Sequence, residues 1–150
     1  MKPEETIDFH IRWAWSKISK AYNSEAMKNG GTMAIGYVLL NIDKDGTPST
    51  KLGPRMGMEP TSLSRILKSM EELKLIKRVP DREDKRVVKV TLTPKGKDMR
   101  EVSREVVIRF NKMIAENIEQ EKLDTCLNVL RQINQLLEVN VFDVQQTRVN

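Results

Sequence analysis

The chain has 150 residues, 26 of them Lys or Arg and 21 Asp or Glu, for a formal charge of +5. That length suffices for one well-buried domain, and no apolar run approaches the roughly 20 residues that span a bilayer, which argues against a membrane partner. One cysteine excludes an intrachain disulfide, and Met1–Asp8 has no apolar signal stretch, so a cytoplasmic protein is expected.

Ile7, Ile11, Trp15, Ile18 and Tyr22 recur at helical spacing and predict a helix over 6–28, stopped by Asn29-Gly30-Gly31. Thr32 caps a second helix to about Ile42, and Asp43–Gly46 reads as a turn. Thr47-Pro48 has the form of a helix start, giving a third helix to Met56 that Pro54 should distort or shorten. Glu59-Pro60 opens a fourth helix ending near Lys74, after a loop of only Gly57–Glu59. Two helices so joined form a helix-turn-helix. Ile76–Val79 and Val87–Leu92 read as two strands around the charged stretch Pro80–Arg86, a hairpin wing. A helix of about 25 residues follows from Thr93-Pro94, then another through Leu123, Leu130 and Leu137. The tail 139–150 matches no pattern.

The expected fold is mainly α with a small β-wing. A winged helix-turn-helix reader core (32–96) is flanked by dimerisation helices (6–28 and 94–138) within a single domain. The long end helices have apolar stripes without a core of their own, and a twofold homodimer buries them most simply. Charge follows the same division. Residues 48–100 carry fourteen basic and seven acidic side chains, whereas 1–47 are balanced and 101–150 are slightly acidic. Positive charge thus sits on the segment shaped to read double-stranded DNA. A dimer would place two readers on the half-sites of a palindromic operator.

If Leu63, Ile66, Leu67 and Met70 face the core, then Thr61, Ser62, Ser64, Arg65 and Lys68 face away from it. Short hydroxyls allow close approach to a groove, and Arg65 can pair with guanine or a phosphate. A solvated helix face is the plainer alternative. In the wing, Arg86 suits a narrow minor groove, with Asp81 or Asp84 bracing its guanidinium, while Arg82 and Lys85 suit phosphates. There the alternative is a surface ion-pair cluster worth under about 1 kcal/mol.

These residues resemble the MarR family of winged helix-turn-helix regulators. The resemblance rests on Met58–Arg65, Met70–Arg78, Asp81–Arg86 and Val90–Gly96. Its specific part is the wing signature Arg78, Asp81, Asp84, Lys85, Arg86, Leu92, Thr93 and Gly96. Arg82 stands where the family usually has proline, and Gly53-Pro54 where it is commonly Leu-Ala-rich. The resemblance implies a homodimeric regulator, most often a repressor, whose operator affinity falls when a small molecule or oxidant acts on it. It also implies an effector site between the dimer helices and the reader, for which His10, Trp13, Tyr22, Met33 and Tyr37 are candidates. Core or dimer packing is the plainer reading of these residues and of Trp15.

Cys126 lies on the Leu123–Leu130 stripe and should be a buried, inert thiol; no cysteine lies near the N-terminus, where some family members sense peroxide. His10 stands alone, and no Cys/His pairing, metal-ligand cluster or Gly-rich phosphate loop occurs, so no enzyme, metal or cofactor is expected. The competing function is a winged-helix protein-interaction module without DNA binding.

Overall fold

The computed structural model describes residues 1–138, and the tail 139–150, left unplaced from sequence, lies outside them. After a 3-10 turn at Pro3–Glu5 come α1 (Ile7–Met27), α2 (Met33–Asn41), β1 (Thr47–Pro48), α3 (Ser49–Met56) and α4 (Pro60–Glu72). The strands β2 (Ile76–Pro80) and β3 (Val88–Leu92) follow, then α5 (Pro94–Asn117) and α6 (Gln120–Glu138). Threonines begin three helices. The Thr6 and Thr32 side chains accept from the Phe9 and Ile35 amides, and Thr93 Oγ1 accepts from Gly96 N at 3.0 Å. Each such cap contributes about 1 kcal/mol.

Two expectations for the third helix need correction. Thr47-Pro48 does not start a helix. It forms a third strand pairing antiparallel with β3, Thr47 opposite Val90, so the sheet has order β1-β3-β2 rather than a bare hairpin. The fully buried Thr47 exchanges hydrogen bonds with Asp43: its hydroxyl accepts from the Asp43 amide at 2.8 Å and donates to the Asp43 carboxylate at 3.0 Å. That pairing, not a cap, is why a threonine stands there. Pro54 neither breaks nor shortens α3, which reaches Met56 as expected.

Two compact units are distinguished, Met1–Val107 and Ile108–Asn150, the division falling within α5. In the first, Val38, Leu39, Ile42, Leu52, Met70, Leu75 and Val90 are sealed from solvent and join α2, α3, α4 and the sheet in one core. Each such side chain contributes about 1.5–3 kcal/mol by burial. The α5 start is clamped onto the α4–β2 junction: Thr93 Oγ1 donates to the Lys74 carbonyl at 2.7 Å, and Thr93 N donates to Leu75 O at 3.0 Å. In the second unit, described to Glu138, Met113, Leu127, Leu130, Leu136 and Leu137 are exposed. Cys126 is also exposed, contrary to expectation, because in a single chain the stripe it lies on is only partly covered: Leu123 and Ile133 are half-buried, and Leu130 and Leu137 are left open.

Candidate DNA-reading face and an apolar cavity

The turn between α3 and α4 is set by Gly57 in the left-handed region (φ 61°, ψ 35°). Met58 N–H closes back on the Gly53 carbonyl at 2.9 Å, and a Cβ on Gly53 would come within 3.0 Å of Met58 O. The glycine that departs from the family pattern thus permits close contact between helix and turn.

Pro60 then starts α4, where its missing donor costs nothing. Leu63, Leu67 and Met70 are buried and Ile66 half-buried, while Thr61, Ser62, Ser64, Arg65 and Lys68 are all exposed. These five therefore share the helix face turned away from the core. Among the described residues neither Arg65 nor Lys68 is held in an ion pair, which leaves both heads available to a ligand. Arg78 on β2 pairs with Glu71 on α4 at 3.2 Å, tying the wing to the helix.

The wing tip is wired by its two aspartates. Asp81 Oδ1 accepts from the amides of Glu83 (2.8 Å) and Asp84 (3.1 Å), and its other oxygen pairs with Lys89. Asp84 Oδ1 accepts from the Arg86 amide at 3.1 Å and from Arg86 Nε at 3.2 Å, which holds a guanidinium whose side chain is 92% exposed. Of the two bracing candidates, then, Asp84 contacts Arg86, whereas Asp81 shapes the turn and engages Lys89. Arg82 and Lys85 belong to the same loop and are exposed.

The Lys89 ammonium and then the two amides hold the Asp81 carboxyl at about 2, below its ordinary 3.8. A carboxyl depressed on folding stabilises the turn fully above about 3.8, and that contribution is lost as pH falls through about 2. The Glu83 and Asp84 amide resonances should therefore move together with a midpoint near 2 on acidification. Asp81→Asn should abolish that transition, and a midpoint at the ordinary carboxylate value would contradict the wiring.

A cavity of about 610 Å³ lies in the first unit, walled by α1, α2, the Met56–Met58 turn and α5. It brings Tyr22, Met33 and Tyr37 together. His10 and Trp13 are not on its wall: His10 Nε2 sits 2.8 Å from the Glu4 carbonyl at the start of α1, and Trp13 is half exposed beside Phe9. Trp15 lines the cavity instead. Seven residues separate Trp15 from Tyr22, two helical turns on one face, whereas Trp13 points about 200° away from Trp15. That seven-residue spacing was the available sequence signal. Burial pushes the Tyr22 phenol pKa up.

Sequence reasoning also missed Arg55. Its guanidinium forks onto Asp43 at 3.1–3.2 Å and donates to the Asn41 carbonyl at 2.8 Å, bolting α3 to the end of α2. The Thr47 hydroxyl, then Arg55, lowers the Asp43 carboxyl pKa. Nothing local in the sequence announces a pair twelve residues apart.

Among the described residues no group of three or more His, Cys, Asp or Glu could hold a metal, and no helix is long and apolar enough to cross a membrane. The S. aureus MepR chain, solved as a DNA complex, has a similar fold, with TM-score 0.79 at 17% identity over 87% of this chain and 97% of that one. CouR of Rhodococcus jostii, solved bound to p-coumaroyl-CoA, matches with TM-score 0.75 at 20% identity over 93% and 96%. The sequence model of the MarR family matches residues 38–88, from α2 into β3. Over 132 residues the chain is 31% identical to the HTH-type transcriptional regulator SarZ of Staphylococcus saprophyticus, covering 83% of this chain and 90% of that protein. A relative this similar over nearly its whole length, with the family pattern lying across the helix-turn-helix and wing, makes this chain a member of the MarR family.

Proposed function

We propose that the chain is a cytoplasmic homodimer that binds a palindromic DNA operator, represses transcription, and releases the operator when a small molecule fills the cavity. No catalytic step belongs to this reading. The observation that carries it is the division of α4: its apolar residues are consumed by the core, and Thr61, Ser62, Ser64, Arg65 and Lys68 are left together on the outside. Such a face has the dimensions and donors to enter a major groove, and the wing adds Arg86 for the adjacent minor groove, with Arg82 and Lys85 for phosphates. MepR, solved with DNA, and SarZ, a transcriptional regulator, support the same assignment. CouR, solved with an acyl-CoA, supports a small-molecule response. The exposed apolar side chains of α1 and α6, including Ile7, Ile11, Leu136 and Leu137, support a dimer.

Fragments selected from the source genome provide the test. Their affinity, measured by fluorescence anisotropy, should fall linearly with the logarithm of salt concentration, with a slope of about −0.9 per neutralised phosphate. Two chains should bind each duplex, and selected fragments should bind at least about a thousandfold tighter than random ones. Equal affinity for both sets, or none for either, would return the chain to the interaction-module class.

A further inference from the structure

We propose that the cavity takes an uncharged, ring-bearing lipophilic molecule and discriminates against aromatic carboxylates, an inference that rests on reading the cavity as the effector site. Its volume of about 610 Å³ falls within the range of small-molecule sites. The surface offered is apolar: Trp15, Tyr22 and Tyr37 supply ring faces, and four methionines supply polarizable thioethers that pack against rings.

The charge inventory of the wall sets the ligand class. Among the described residues its single charged side chain is a carboxylate, Glu25, paired with the Lys28 ammonium. Among the described residues no guanidinium, ammonium or imidazole lines it, so a bound anion would lose its hydration without gaining a counter-ion from them. Two polar side chains of the wall, Asn41 and Ser103, are turned into their own helices. Asn41 Nδ2 donates to the Tyr37 carbonyl at 2.9 Å, and Ser103 Oγ to the Met99 carbonyl at 2.9 Å. The start of α2, where helix amides could otherwise attract an anion, is also occupied: Asn23 Oδ1 takes the Met33 amide at 3.0 Å and Thr32 Oγ1 the Ile35 amide at 3.2 Å. An occupant would also touch Met56, Gly57 and Met58, the turn immediately ahead of α4. It would thereby press on the segment that sets where the DNA-reading helix begins.

Two probes with one ring system isolate the charge: naphthalenemethanol, neutral, and naphthoate, anionic, measured by equilibrium dialysis against the full chain without DNA. The alcohol should bind one per chain and at least about tenfold tighter than the acid. Ala34→Phe, which adds a ring to the wall, should abolish alcohol binding. Asn29→Arg, at the exposed mouth, should raise naphthoate affinity about fivefold or more and leave the alcohol nearly unchanged. Naphthoate binding as tightly as the alcohol, or alcohol uptake indifferent to Ala34→Phe, overturns the inference. Uptake of neither probe also overturns it. Operator affinity of the same preparations separates the two levels. Protein that binds DNA but neither probe refutes only the ligand class, and protein that takes the alcohol but no DNA refutes the regulatory reading.

Discussion

Gly96→Ala lowers the unfolding free energy by about 3 kcal/mol, read as a drop in the urea midpoint with the m-value unchanged. The added Cβ would fall inside the van der Waals envelope of the Leu75 carbonyl oxygen and 2.9 Å from its carbon. Both are backbone atoms and cannot swing aside. Relief requires α5 to lift off the α4–β2 junction, which strains the bonds from Thr93 to Lys74 and Leu75. Lys97→Ala, one residue further on and exposed, should change stability by no more than about 0.5 kcal/mol. Equal midpoints for the two variants would show that the close approach of α5 to Leu75 carries no weight.

Removing either arginine of the proposed interface should separate its two jobs. Arg65→Ala should weaken operator binding by about 1–3 kcal/mol and relax discrimination at one base position, as loss of a base-reading fork does. Arg86→Ala should weaken binding and flatten the salt dependence by about one unit of slope. Neither should alter folding, since both side chains are exposed. Asp84→Asn keeps the positive charge and weakens its brace, so its loss of affinity should be smaller than that of Arg86→Ala and its salt slope should be retained. Anisotropy titrations at several salt concentrations distinguish the three. If both arginine variants keep wild-type affinity and slope, the interface lies elsewhere.

What could be read in advance followed from how local each determinant is. The α4 start at Pro60 and its Leu63–Leu67–Met70 stripe are local patterns, and α4 begins as expected. The Ile76–Leu92 hairpin was equally legible, because alternation around a charged loop is a short-range signal. Thr47-Pro48 was misread because a hydroxyl followed by proline suits a helix start and an edge strand alike. Only pairing with Val90, 43 residues on, decides between them. The Arg55–Asp43 fork was invisible for the same reason. Cys126 was misjudged on another ground: a stripe tells which face wants cover, not whether the chain itself supplies it.

The short outer strand β1 has a bearing on how copies of this chain associate. It is two residues long and ends in proline, which offers no amide to an incoming strand. The opposite margin, β2, carries Lys77 and Arg78 and also ends in proline. Both borders of the sheet are thus poor templates for strand addition, so a chain crowded at high concentration is steered away from fibrillar stacking.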